Sequence, residues 1–150
     1  MKVILDSGPI GLVTNPRPSA EGLACESWLD GLVAVGHEIV LPEIIDYEIR
    51  RELIRAKKRV GLQRLDDLKQ DSTFLRVDSE TLLKAAEFWA EARWRGQPTA
   101  HAASLDIDVI LAAQTWMVQN EGEFAVIATL NKKHLAQFVP AEHWKDIHPI

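Results

Sequence analysis

The sequence predicts an α/β fold, a three-layer sandwich in which helices cover both faces of a central parallel sheet of four or five strands. Short runs of branched apolar residues alternate with longer helical patterns, which is typical of βαβ units with right-handed crossovers. The run from Val3 to Leu5 is apolar without interruption, which indicates a strand covered on both sides. Because the chain has 150 residues, 47% hydrophobic and 26% charged, we expect one globular domain over residues 1–150.

The expected elements follow from where apolar runs stop at turn formers and where apolar residues recur at helical spacing. Strands are expected at residues 3–5, 38–41, 74–77 and 125–128. Helices are expected after the capping residue Ser19, from Glu43, over 62–68, from Ser79 to Trp94, from Ser104 to the break at Gly122, and around 133–136. Turns or loops are expected at 7–9, 15–19, around Gly61, and at 97–104. Trp89 is assigned to the core and Trp94 to the surface.

Several classes of protein are excluded by what the sequence lacks. No apolar run approaches the roughly 20 residues that cross a bilayer, and the first residues do not resemble a signal peptide. A lone cysteine, Cys25, cannot form an internal disulfide, which agrees with a reducing compartment. We therefore expect a cytoplasmic protein without membrane contact. The sequence also contains no glycine-rich phosphate loop, no zinc-ligand spacing and no G-x-S-x-G elbow.

The basic residues are concentrated in one segment of an acidic protein. The net charge is −5, from 17 basic and 22 acidic side chains, which argues mildly against a protein that wraps nucleic acid. Seven bases nevertheless lie between Arg50 and Arg64, with only Glu52 as an acid among them. Such a segment is either a solvated helix face or a surface for a phosphate backbone. The bases considered for RNA binding are Arg50, Arg51, Arg55, Lys57 and Lys58.

Carboxylates occur where the predicted sheet would gather its strand ends. Asp6 ends the first strand, and ligands of open α/β sheets bind at that edge. Asp106 and Asp108 are placed at the start of an apolar helix, where the helix dipole favours negative charge. Glu48 lies in the second long helix, where it forms one row with Ile44 and Glu52 at i, i+4 spacing. Taken singly, each acid has an ordinary structural explanation as a cap or an ion-pair partner.

Gathered at one edge, these acids would repel one another and raise each other's pKa unless a cation neutralised them. Hard oxygen ligands select Mg²⁺ or Mn²⁺. Such ions serve phosphoryl chemistry, because they activate water and stabilise charge on phosphate. The acids together therefore favour a metal-dependent site acting on phosphate esters.

Four stretches of the sequence resemble the PIN domain, and in particular the VapC-like ribonucleases of bacterial toxin–antitoxin pairs. The stretches are D-S-G after the first strand, D-Y-E-I-R-R-E-L around Glu48, D-V-I-L-A-A-Q-T from Asp108, and T-L-N-K-K-H-L from Thr129. Together they extend from Asp6 to about Phe138 and lie in the family's order. The resemblance implies a Mg²⁺- or Mn²⁺-dependent endoribonuclease that cleaves RNA, forms homodimers and is inhibited by a small antitoxin protein.

The resemblance also implies roles for individual residues. Asp6, Glu48 and Asp108 take the positions of the family's catalytic and metal-binding acids, and Asp106 is an auxiliary metal ligand. The strand-four motif often reads T-x-N-x-x-D, whereas here its last position is histidine. That departure removes one negative charge and argues against a second metal ion. The side chains expected to position water or phosphate are Ser7, Thr129, Asn131 and His134.

Two other interpretations remain open at this point. The first is a catalytically impaired PIN-like module that serves binding or dimerisation, which the histidine and the acidic net charge favour. The second is a receiver-like phosphoacceptor, a class that needs paired acids after the first strand and a lysine at the end of a late strand. Here Asp6 stands alone, and Lys132 and Lys133 lie beyond the strand.

Overall fold

The computed structural model describes residues 1–96 and 102–149, and its strands and helices alternate as predicted. The strands are β1 (Lys2–Leu5), β2 (Glu38–Pro42), β3 (Thr73–Leu75), β4 (Ala125–Thr129) and β5 (Ala141–His143). The helices are α1 (Ser7–Thr14), α2 (Ala20–Ala34), α3 (Glu43–Arg55), α4 (Arg59–Asp71), α5 (Ser79–Trp94) and α6 (Ala102–Asn120), and a 3₁₀ turn spans Trp144–Asp146. Residues 97–101 of the expected loop lie outside the described residues.

The five strands form one parallel sheet in the order β3-β2-β1-β4-β5. All three residues from Val3 to Leu5 in β1 and all five residues of β4 are buried. Since neighbouring residues of a strand point to opposite faces, burial of every residue means that both faces are covered. The predicted three-layer α/β sandwich is therefore confirmed, with β1 at the centre of the sheet.

The local structure differs from the sequence-based expectation in four places. Residues 7–9 begin helix α1, because the Asp6 side chain accepts the Ser7 N–H at 2.7 Å and caps the helix. Gly61 lies inside α4, where a Cβ would come within 2.9 Å of the Leu53 side chain. Helix α6 begins at Ala102, so its two aspartates lie beyond its first turn rather than at its start. Residues 132–138 form turns instead of a helix.

One residue of helix α5 that was assigned to the core is partly exposed. Its buried residues are Thr81, Ala85, Phe88 and Ala92, which recur at helical spacing. Trp89 is 39% exposed, so its assignment to the core is wrong, whereas Trp94 is 82% exposed as predicted. The exposed apolar side chains on this helix include Leu82 and Leu83.

A buried glutamine connects the helices that carry the candidate site. The Gln114 side chain in α6 donates to the Leu75 carbonyl at 2.7 Å and accepts a longer bond from the Ile44 N–H at 3.5 Å. Removing a buried hydrogen-bonding group from such a position is costly, so Gln114 fixes α6 against the start of α3. Among the described residues, no helix has the length and apolar character required to span a membrane.

Candidate functional site

The candidate site lies between β1 and β4, where the chain stops adding strands on one side of β1 and begins to add them on the other side. From β1 the chain adds β2 and β3 on one side, and then returns to place β4 on the other side of β1. Such switch points leave a crevice at the carboxyl ends of the two central strands. Asp6 follows β1 and Thr129 ends β4, and the Thr129 hydroxyl donates to the Asp6 carboxylate at 2.7 Å. The two strand ends are thereby joined across the crevice.

A small cavity of about 220 Å³ opens at this crevice, and we call it the acidic hollow. It is lined by Asp6, Ser7, Gly8, Asp108, Thr129, Leu130, Asn131, His134 and Leu135. The structure therefore brings together the predicted residues of the first strand, the apolar helix and the strand-four motif. Glu48 lines an adjoining groove that shares Ser7 with the hollow.

The three principal carboxylates influence one another electrostatically. Burial is the largest cause that raises the pKa of Asp108, to about 7, and the charges of Asp6 and Glu48 raise it further. Burial also raises the pKa of Glu48, with the charge of Asp6 second, while a hydrogen bond from Ser7 and the charge of Arg51 oppose the rise. Acids that raise each other's pKa form a site that a cation would stabilise.

The chemistry of these donors fits a small divalent ion. Among the described residues, no three His, Cys, Asp or Glu side chains are close enough together to ligate one ion directly. Mg²⁺, however, is usually bound through one or two carboxylates and retains several of its waters. Asp6 and Asp108 line the hollow itself, so these two carboxylates would hold the ion, while Glu48 lines the adjoining groove and would add negative charge nearby.

Around the acids, the polar side chains already have defined partners. The Asn131 N–H donates to the Thr129 hydroxyl at 3.1 Å, and the Asn131 side-chain oxygen accepts the Lys133 N–H at 3.3 Å. The Asn131 NH₂ group can still donate, because only the oxygen of this amide is used. His134 is half-buried in the wall of the hollow. These donors face a cavity in which a phosphate oxygen could lie.

Asp106 lies outside the acidic hollow. It is exposed and lines a separate apolar depression of about 300 Å³ with Leu82, Trp89 and Ile110. Two residues along a helix correspond to a rotation of about 200°, so Asp106 and Asp108 point to different sides of α6. The structure gives Asp106 no place beside the other three acids.

The predicted RNA-binding bases have dissimilar surroundings. Arg50 donates twice to Asp46 at 3.0 Å and contacts Asp66 at 2.8 Å, so it holds α3 to α4. Arg55 pairs with Glu52, and Arg51 lies 5.1 Å from the centre of the Tyr47 ring. Lys57 and Lys58 are exposed in the α3–α4 turn. The segment is therefore not one continuous basic surface.

Gly8 is a site residue that sequence reasoning treated only as a turn former. A Cβ at this position would lie 2.4 Å from Cγ of Leu130, a distance that real side chains do not tolerate. Glycine therefore lets the first turn of α1 approach the segment after β4. The D-S-G spacing after an apolar strand was the available signal.

No protein-family model matches this sequence, and no curated protein matches it. Solved structures do. One is a chain of VapBC2 from Rickettsia felis, a complex solved with a DNA fragment from its promoter. It matches with a TM-score of 0.74 at 18% identity, covering 96% of this chain and 99% of the other. A chain of VapBC-1 from nontypeable Haemophilus influenzae matches with a TM-score of 0.70 at 15% identity, covering 97% and 100%.

FitAcB from Neisseria gonorrhoeae gives a third match, with a TM-score of 0.67 at 18% identity, covering 97% of this chain and 99% of the other. Each match spans nearly the whole of both chains, while the identities are low. The likeness is therefore one of backbone architecture, and it agrees with the resemblance seen in the motifs. The chain has the PIN-like fold found in these complexes.

Proposed function

We propose that this protein is a Mg²⁺- or Mn²⁺-dependent endoribonuclease and the toxin of a toxin–antitoxin pair. The observation that carries the proposal is that Asp6 and Asp108 line one cavity at the switch point of a parallel sheet, with Glu48 in the adjoining groove and close enough for its charge to raise the pKa of Asp108. The likeness in fold to VapBC complexes supports the toxin assignment. An ion bound there would supply a water of lowered pKa and neutralise charge on a phosphate.

The residues of the chain would divide the remaining work. Asp6 and Asp108 bind the cation, and Thr129 holds Asp6 in place through its hydroxyl. Ser7 lines both the hollow and the adjoining groove that contains Glu48, so it lies between that carboxylate and the proposed cation site. Asn131 and His134 donate to phosphate oxygens, so that the scissile bond is oriented next to the acids.

The test is Mn²⁺-dependent cleavage of a mixed-sequence single-stranded RNA by purified protein. Asp6→Asn keeps the shape of the helix cap but removes the charge, so we expect cleavage to be lost while the circular dichroism spectrum is unchanged. Asp106→Asn is the matched control, because it removes a carboxylate outside the hollow. Cleavage by Asp6→Asn at the wild-type rate would refute the assignment.

A second candidate function is a PIN-like module without catalysis. It is favoured by His134 at the position where the motif usually has an aspartate. It is also favoured because no three His, Cys, Asp or Glu side chains of the described residues are close enough together to ligate one ion. Calorimetric titration with Mn²⁺ separates the two functions. Binding that disappears in Asp108→Asn supports the nuclease, and the absence of binding at millimolar Mn²⁺ supports the module.

The proposed partners are a small antitoxin protein, RNA and a second copy of the chain. The homodimer would form on the apolar side of α5, where Leu82, Leu83 and Trp89 are 49%, 70% and 39% exposed. Helix α5 has an acid, Glu80, in its first turn and a base, Arg93, in its last turn. Two copies of the helix packed antiparallel would therefore bring unlike charges together.

Trp89→Asp tests the dimer, since a charge in an apolar interface is costly. We expect sedimentation to give a dimer for the wild type and a monomer for this variant. Leu23→Asp is the control, because Leu23 is a leucine on α2 that is 54% exposed. Equal masses for wild type and Trp89→Asp would place any dimer contact elsewhere.

A further inference from the structure

A groove of about 740 Å³ adjoins the acidic hollow. We call it the side groove. Ser7 lines both the groove and the hollow, and Glu48 lines the groove next to it. One side is formed by α1 and the loop after it, and the other by α3 and α4. Its lining residues are Ser7, Gly11, Thr14, Asn15, Pro16, Arg17, Glu48, Ile49, Glu52, Leu53, Lys58 and Gly61.

The lining of the side groove contains two bases, Arg17 and Lys58, and two acids, Glu48 and Glu52. Arg17 and Lys58 are exposed, and neither forms an ion pair with any residue in the described part of the chain. Glu52 is already engaged, because Arg55 donates to it at 2.9 Å. The two bases lie on opposite sides of a groove that leads to the acids. A phosphate on either side of the scissile bond would find a cation there.

The interior of the side groove is mostly apolar. Ile49, Leu53 and Pro16 line it, and the Thr14 hydroxyl is occupied by the Ile10 carbonyl at 2.8 Å. Asn15 accepts the Arg17 N–H through its side-chain oxygen, which leaves its NH₂ group able to donate. An apolar surface with one free amide suits the flat face and polar edge of a nucleobase.

Building on the proposed function, we propose that the side groove holds a nucleotide next to the scissile phosphate of single-stranded RNA, with Arg17 and Lys58 on the flanking phosphates. Its volume is that of a pocket for one small organic molecule. Only an unpaired strand can turn a base into such a groove, because duplex RNA offers its backbone and shallow groove instead. Arg50 and Arg51 line a different pocket and are not part of this path.

The experiment measures binding of a fluorescent single-stranded oligoribonucleotide by anisotropy in EDTA, so that no cleavage occurs. The salt slope is the slope of the logarithm of the binding constant against the logarithm of the salt concentration. Each lost phosphate contact lowers its magnitude by about 0.7 for a single strand. The double variant Arg17→Ala, Lys58→Ala should therefore reduce the slope by about 1.4 and weaken binding at least tenfold. The charge-matched control is Lys69→Ala, Arg76→Ala, whose bases are exposed outside the groove.

A second pair of variants tests the groove without changing charge. A Cβ on Gly11 meets no atom within 4 Å, so Gly11→Phe would fill the groove without disturbing the fold, while Gly11→Ala leaves room. We expect at least tenfold weaker RNA binding for Gly11→Phe alone, with a Tm no lower than that of the wild type.

The outcomes separate this inference from the nuclease assignment. Loss of binding in both variant sets supports the groove even if Mn²⁺-dependent cleavage is never observed. Equal salt slopes for the two double variants would overturn the inference. RNA binding that Gly11→Phe leaves unchanged would also overturn it and leave the groove to another occupant, such as a protein segment. Equal affinity for a duplex of the same sequence would contradict the single-strand requirement.

Discussion

The two sides of α6 differ although the carboxylates that mark them are two residues apart. Asp108 faces the acidic hollow, where burial and two neighbouring acids raise its pKa to about 7. Asp106 is exposed beside Leu82 and Trp89 in an apolar depression. The comparison teaches that proximity in sequence does not make two acids members of one site. What decides membership is the side of the helix from which each side chain projects.

The largest expected effect separates the two aspartates by catalysis. Asp108→Asn should reduce Mn²⁺-dependent RNA cleavage about 100-fold or more, because even outer partners of a metal contribute about 10- to 100-fold. Asp106→Asn should remain within about twofold of wild type. Rates are compared under single-turnover conditions, and equal losses in the two variants would break the distinction between the two sides.

Stability should change in the opposite direction from activity at Asp108. Folding raises the pKa of the Asp108 carboxyl from 3.8, its value in the unfolded chain, to about 7. The free energy of unfolding therefore decreases as the pH rises through this range. Asp108→Asn should therefore be more stable by about 2 kcal/mol above pH 7, after allowance for partial exposure. The difference should vanish near pH 4. Urea unfolding at both pH values measures it, and a destabilised variant at pH 8 would contradict the repulsion.

The smallest expected effect is a pH dependence of the stability that Mn²⁺ adds to the protein. At ten times its dissociation constant, Mn²⁺ should stabilise the protein by about 1.4 kcal/mol at pH 8. At pH 5.5 the gain should be smaller, because Asp108 is protonated below about 7 and must release that proton to bind. Thermal unfolding with and without Mn²⁺ gives both values. A gain in Tm that is independent of pH would exclude Asp108 as a ligand.

Much of this fold was predictable because its strands are short apolar runs with clear ends. Residues 3–5 and 125–128 are buried in β1 and β4 as expected. The turn formers after Asp6, in contrast, began a helix, because the aspartate itself caps the first turn. Gly61 was misplaced because a glycine inside a helix looks like a break until the approach of Leu53 is known.

The site was predictable only as a set of candidates. Asp6 and Thr129 follow from their places at strand ends, which local sequence records. The contact of Arg50 with Asp66 could not be foreseen, since it depends on the packing of α3 against α4, whereas its pair with Asp46 lies within α3 at i,i+4 spacing. The exposed apolar side of α5 was missed for a related reason, because periodicity shows that a face is apolar but not what covers it.

The sequence by itself determined the alternation of strands and helices, the burial of β1 and β4, and the placing of an acid after the first strand. Only the tertiary structure decided that β4 pairs with β1, which of the two aspartates of α6 lines the same cavity as Asp6, and which bases line the side groove. The physical reason is that local patterns reflect contacts made within one element. The acidic hollow and the side groove depend on the positions of several elements relative to one another.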